Sequence, residues 1–299
     1  MPAAQCRLYV IQARDAPRAV IFRRGPSTHV MLALWHTDTD RVEEGQWLKG
    51  RIYERRADLS PDGTKLLYFA AQFRRKEMPT WTAISQPPWL TAMVLWPKDG
   101  TWGGAGLWES PRSVVLNHPY GNVEHAAPDK PIPKGLAVRE MGKFGGGGED
   151  FPMLHLRLVR DGWRLLSPGG RDGPDFQRSP VWKYDPPIEY ARSRPKDTGL
   201  EVRMRILGVS ARDESWYQIE HWVVRMGKRG EELVLDLGRA EWADWDRRGD
   251  LVFAKDGVLH RVKYPGLDLE AARVIVDLRE RKFVARAAPE SARKWSWRA

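Results

Sequence analysis

The sequence predicts an all-β chain, and three observations carry the prediction. Apolar runs of strand length, rich in Val, Ile, Leu and aromatic residues, recur along the chain, while helical periodicity is never sustained. Turn residues separate the runs, with Gly, Pro, Asp and Asn falling between them. Finally, one strand–turn–strand pattern returns. Its clearest copy is R-A-D-L-S-P-D-G-T-K-L-L-Y-F-A-A at residues 56–71. There Asp58, Ser60, Pro61, Asp62 and Gly63 form a tight turn: Pro61 presets φ, Asp62 can bond its own backbone, and Gly63 accepts positive φ. The aromatic run 66–69 follows as a strand.

Residues 243–249 keep the Ala, Asp and Gly of Ala57, Asp58 and Gly63, and lead into an apolar run at 251–254. Residues 94–101 read as a second copy with one extra residue in the turn, and 156–166 as a fainter one. Repeated units at a period of about 40 residues are the signature of blades. One four-stranded blade cannot bury both faces alone, so blades stack around an axis. The expected fold is a β-propeller of about five or six blades, some irregular, in a single domain over residues 1–299.

The run Asp58-Leu59-Ser60-Pro61-Asp62-Gly63-Thr64-Lys65-Leu66-Leu67-Tyr68-Phe69 resembles the S-P-D-G core of TolB-type, WD-repeat-like β-propeller units. The other copies lack Ser-Pro-Asp-Gly. The resemblance implies a turn joining the first two strands of a blade, and a habit of binding partners. It names no catalytic residue. TolB itself is periplasmic, and the start of this chain departs from that.

In chain order, 8–11 and 18–22 read as strands, Pro26 breaks the run, and 30–35 is a strongly apolar strand before a Thr-Asp-Thr-Asp turn. Residues 41–48 alternate poorly but continue the pattern, and Ile52 and Tyr53 lead into the main turn. Strands follow at 81–85, closed by Pro87-Pro88, at 90–96 and at 113–116. The glycines before Trp108 suggest a bulge or a close backbone approach. The pattern is lost over 117–150, rich in Pro and ending in a run of glycines, and again over 167–197; both are expected as long loops. Residues 201–209 alternate as a strand, and 216–226 pairs with 232–237 through a glycine-flanked turn. Strands are expected at 258–264 and 273–278, the latter pairing with 8–11 in a shared terminal blade, and 283–285 is expected to close the last one.

No long apolar run and no signal-type start is present, so the chain reads as cytoplasmic. Cys6 is the only cysteine, which excludes an internal disulfide and a cysteine-based zinc site; it reads as a small buried hydrophobe. Net charge is +10, which gives weak, non-specific attraction to polyanions. The basic residues are scattered, with Arg74-Arg75-Lys76 the longest cluster, so a solvated face is the first reading. Of 15 tryptophans most are expected to fill space between blades, leaving a few near loops to stack on a ligand or partner.

No phosphate-loop, H-E-x-x-H or G-x-S-x-G pattern occurs. Gly145 to Gly148 read as a flexible linker, and His118, Glu124 and His125 match no familiar metal spacing. Asp58 and Asp244 recur at equivalent repeat positions, which marks them as structural, because catalysis needs a residue once. No catalytic residue, metal or cofactor is expected. The candidate binding residues are Trp102, Trp108 and Trp182 with Arg74, Arg75 and Lys76. The expected function is a non-enzymatic binding or scaffold protein whose partner is another protein. Two other readings are a propeller-type hydrolase acting on a glycan or lactone, and a weak nucleic-acid binder through the basic surface.

Overall fold

The computed structural model describes residues 6–25, 28–119, 125–147, 149–170, 182–209, 217–228 and 230–297. The all-β expectation holds: among the described residues the strands form five sheets, beside one short α-helix, α1 (His155–Arg160). By internal contacts the chain divides into a first unit of residues 9–157 and 281–299 and a second of residues 1–8 and 158–280.

The first sheet runs in chain order through β1 (Arg7–Gln12), β2 (Arg18–Arg24), β3 (His29–His36) and β4 (Arg41–Lys49). The second contains β5 (Arg51–Ile52), β6 (Asp58–Leu59), β7 (Leu66–Ala71), β8 (Thr80–Ser85) and β9 (Ala92–Lys98); β5 and β6 both pair with β7. The third is β10 (Gly106–Ser110), β11 (Ser113–Leu116) and β12 (Ala137–Glu140). In the second unit, the fourth sheet runs through β13 (Arg164–Pro168), β14 (Trp182–Arg194), β15 (Asp197–Val209), β16 (Tyr217–Gly227) and β17 (Gly230–Gly238). The fifth runs through β18 (Trp242–Trp245), β19 (Leu251–Lys255), β20 (Val258–Val262) and β21 (Arg273–Asp277). Where a register is described, the pairs are antiparallel except β11 with β12.

β7 shows how the first unit is packed. Every residue of its L-L-Y-F-A-A run is buried. Because side chains alternate across a strand, Leu66, Tyr68 and Ala70 enter a core with Val20, Phe22 and Leu32 of the first sheet. Leu67, Phe69 and Ala71 enter another with Trp108, Val114 and Leu116 of the third. The second sheet is therefore covered on both faces, which is why β7 reads as a continuous apolar run and not as an alternating one.

The two best turn copies are built alike. Asp58 pairs with Leu67, and Asp244 with Val252, each two residues before the residue that opens a turn into the next strand, Ser60 or Asp246. In the first turn Ser60 Oγ accepts the amides of Thr64 (3.1 Å) and Lys65 (2.9 Å), and Gly63 N donates to Ser60 O. In the second, Asp246 Oδ1 accepts the amides of Arg248 and Asp250, both at 2.9 Å, and Gly249 N donates to Asp246 O. Gly63 and Gly249 both take positive φ. A serine and an aspartate thus do the same work, and the shared feature is a side-chain oxygen facing two turn amides.

The other two copies are corrected. Lys98, Asp99 and Gly100 link β9 to β10, which lie in different sheets. The run before Asp161-Gly162 is helix α1: Gly162 N donates to Val159 O and Trp163 N to Leu158 O, with Gly162 at φ +91. That is a glycine-terminated helix end, for which the same dipeptide serves as well as for a hairpin.

Both expected loops also hold strands. Residues 117–150 contain β12 and the turn Gly142–Phe144, while 120–124 and 148 lie outside the described residues. Within 167–197, β14 runs through Pro186 and Pro187, which sit where the register breaks between Lys183 and Ile188; a proline is tolerated where ladder bonds are already interrupted. The region 171–181 lies outside the described residues. Strands β1 and β21 belong to different sheets, so the expected shared terminal blade does not form. Residues 283–285 form no strand; Phe283 instead sets its ring 5.2 Å from that of His29 and 6.1 Å from that of Trp47.

Candidate functional site

Three loops of the first unit gather at one end of the second and third sheets. The β7–β8 hairpin closes with Gln72 N donating to Pro79 O (2.7 Å) and Arg75 N to Gln72 O (2.9 Å). Its tip carries Phe73, Arg74, Arg75 and Lys76, all exposed. Thr80, at the base of that hairpin, places its Oγ1 2.8 Å from the Lys98 carbonyl oxygen and 2.9 Å from that of Gly100. This ties the hairpin to the loop leading from β9 into β10, on which Trp102 stands out.

The Trp102 loop is braced from below. Arg56 is buried, with its guanidinium 4.8 Å from the Tyr53 ring centre and 5.4 Å from that of Phe69. From there Nη1 donates to the carbonyls of Thr101 and Gly103, both at 2.6 Å. Gly104 follows at φ +95, where a Cβ would lie 2.3 Å from the Phe69 ring, so only glycine lets the chain pass. Here the sequence expectation of a close backbone approach is met.

The third loop, residues 141–147, packs on the second. Gly146 N donates to Asn117 Oδ1 (2.9 Å) and Gly104 N to Asn117 O (2.8 Å), so one buried asparagine holds both loops. A Cβ on Gly103 would stand 3.2 Å from Gly146 Cα. Gly145 and Gly146 are thus docked and not a free linker. Phe144 projects from this loop, with Lys143 Nζ 5.1 Å from its ring.

Beneath the loops lies a polar core. His118 is buried, and its Nε2 is 2.9 Å from Thr82 Oγ1, which also accepts the Ala105 amide at 2.8 Å. Burial, then the charge on Lys98, pushes His118 down to about 3, so the ring is neutral at physiological pH. A hydroxyl facing an imidazole is the geometry of a nucleophile and its base. Here both groups are buried and the hydroxyl is committed to a backbone amide, so the pair braces the core. Burial also holds Lys98 below the usual lysine range; Asp99 opposes this and Arg56 adds to it.

The rim is therefore basic and aromatic. Phe73, Trp102 and Phe144 are 68%, 74% and 70% exposed. Arg74, Arg75, Lys76, Lys98 and Lys143 stand on or beside the same loops, against the carboxylates of Glu77 and Asp99.

Of the residues expected from sequence, Arg74, Arg75, Lys76 and Trp102 stand on two loops that Thr80 ties together at the base, with the Arg75 guanidinium 5.7 Å from the Trp81 ring. Trp108 does not: it is fully buried, its backbone N donates to Asp58 Oδ2 (2.7 Å), and it fills the core between the second and third sheets. Its glycine-rich approach signals tight packing, not a loop. Trp182 opens β14 in the second unit, and its side chain lies outside the described residues. Sequence reasoning misses Phe73, Phe144 and Lys143, although F-R-R-K and K-F-G-G carry the signal of an aromatic beside a cation at a break in the strands. His118 is buried and His125 exposed, Glu124 lies outside the described residues, and no metal-ligating group of three occurs among the described residues. No helix among them is long and apolar enough to cross a membrane. Compared with family models, curated proteins and solved structures, the chain matches none.

Proposed function

We propose that the chain is a non-enzymatic binding protein that docks an acidic partner on the basic, aromatic rim formed by residues 72–79, 98–104 and 141–147. The observation that carries this is the exposure of three large rings among cations on loops whose backbones are pinned from below. Exposed apolar surface ringed by charge marks a contact surface. The buried carboxylates have structural partners: Asp58 takes the Trp108 amide, Asp244 the Arg192 guanidinium, and Asp246 two turn amides and Arg261. These contacts favour binding over a glycan or lactone hydrolase.

The propeller reading goes with this function. Sheets in chain order, a middle sheet covered on both faces, and two turns of the same build support it, as does the likeness of residues 58–69 to TolB-type units. A lone buried cysteine, with Sγ 3.7 Å from Leu278 O, suits the reducing cytoplasm.

Elution from immobilised heparin tests the docking face. Arg74→Glu/Lys76→Glu should elute at clearly lower salt than the parent. Arg239→Glu/Lys263→Glu makes the same charge change on exposed residues of the second unit and should shift elution much less. Equal shifts from the two pairs would show that net charge alone is at work and would sink the assignment of this rim.

A further inference from the structure

We propose that the ligand of this rim is single-stranded nucleic acid, its bases stacked on Phe73, Trp102 and Phe144 and its phosphates held by Arg74, Lys76, Lys98 and Lys143. This rests on the docking reading above and adds the chemical class of the ligand.

The first ground is the rings themselves. Aromatic side chains gain most by leaving water, yet these three stay about two-thirds or more exposed at one end of two neighbouring sheets. The second is their interleaving with charge. Arg74 follows Phe73, Lys143 lies beside the Phe144 ring, and Lys98 ends the strand that feeds Trp102. Among the described residues neither Arg74 nor Lys76 has an ion-pair partner, so their charge faces outward.

Ligand chemistry then narrows the choice. An acidic protein surface offers carboxylates but few flat faces to stack. A duplex offers phosphates but keeps its base faces inside the helix. A single strand offers both a line of phosphates and unstacked bases. Stacking also suits a pre-set platform. Arg56 fixes the carbonyls on either side of Trp102, and Asn117 fixes Gly146 near Phe144, so little ordering is left for binding to impose.

Fluorescence anisotropy on the full chain separates the sources of affinity. The probes are labelled oligothymidine of about 20 nucleotides, an abasic strand with the same phosphates, and a polyglutamate peptide of matched charge. At about 50 mM salt, oligothymidine should bind at least about fivefold tighter than the abasic strand. Trp102→Ala/Phe144→Ala should close that gap, and Arg74→Glu/Lys76→Glu should weaken both strands. Circular dichroism verifies the fold of each variant, and Trp102→Ala alone replaces the double should the double melt early. Equal affinity for the two strands, or a gap that survives loss of the rings, overturns the inference and leaves docking by charge intact. Tighter binding of polyglutamate assigns the rim to an acidic protein segment instead. Failure to bind all three probes overturns the docking reading itself.

Discussion

Replacing Arg261 measures what the buried ion pair contributes to the fifth sheet. Arg261 and Asp246 each keep 1% exposure, and Arg261 Nη1 bonds Asp246 Oδ2 directly. The same nitrogen stands 3.1 Å from Asp250 Oδ2, which is 14% exposed. Asp246 Oδ1 is occupied by the amides of Arg248 and Asp250. Arg261→Met keeps the apolar stem and deletes the charge, leaving a buried carboxylate with two amides and no counter-ion. Breaking a buried pair from one side costs about 3–5 kcal/mol. The two amides still solvate Oδ1, so about 3 kcal/mol is expected here, a fall in Tm of roughly 6–12 °C for a unit of this size. Urea and thermal unfolding followed by circular dichroism read both quantities. Adding Asp246→Asn removes the stranded charge and should recover at least half of the loss, because burying neither charge avoids both desolvation costs. An Arg261→Met variant within about 1 kcal/mol of the parent would refute the reasoning, as would a double variant less stable than the single one.

Ser60→Ala should destabilise the first unit by about 1–2 kcal/mol, since it strands the buried Lys65 amide while Thr64 N keeps Asp62 Oδ1; an unchanged urea midpoint would show that water reaches the turn. The protein's pH response should contain two opposed parts. His118 is lowered from 6.5 to about 3, so the unfolded chain takes a proton that the folded chain refuses. Its contribution is whole above pH 6.5 and is lost as pH falls toward 3, with a slope approaching about 1.4 kcal/mol per pH unit. Burial raises Glu241 from 4.5 to about 7, so its contribution is whole below pH 4.5 and is lost as pH rises through 7. Between pH 5 and 6.5, His118→Gln should flatten the acid-side fall and Glu241→Gln should steepen it. Urea midpoints across that window check both, and parallel curves for all three proteins would reject the assignment.

What is legible in the sequence is local. Residues 58–66 announce themselves because Ser60, Asp62 and Gly63 satisfy one another within a few residues. The turn at 244–251 is legible through its Asp and Gly, even though Asp246 has taken the place of Ser60. Illegible elements are those made by distant partners. β12 exists because β11 has a free edge for Ala137–Glu140, and four residues carry too little pattern to show it. α1 reads as strand because Leu156, Leu158 and Val159 suit either structure, while Arg157 reaches back to the carbonyls of Glu54 and Ala57. The same division governs the rim. Arg74, Arg75 and Lys76 show in composition, but the loops that carry Trp102 and Phe144 meet only through Gly103 against Gly146.

Net charge is the sequence feature that most needs a location before it can be used. Several of the arginines behind the value of +10 are inside: Arg23, Arg55, Arg56, Arg157, Arg203 and Arg261 are all 6% exposed or less. Arg203 and Arg261 pair with carboxylates, whereas other guanidiniums take over backbone carbonyls, as Arg56 does for Thr101 and Gly103 and Arg157 for Glu54 and Ala57. A chain with short strands and broken ladders has many such carbonyls, and a fork of five donors reaches two at once where an ammonium is a single point. These arginines are therefore fold residues, and Arg56→Lys should loosen the Trp102 loop although it leaves the charge unchanged. The field a polyanion meets comes instead from exposed cations, and in the first unit Arg74, Arg75 and Lys76 place three of them on one hairpin tip beside an exposed ring. A uniform basic coat would attract any polyanion without registering its shape. Cations fixed next to rings on braced loops respond to what lies between the phosphates, which is why the abasic strand is the decisive comparison for this protein.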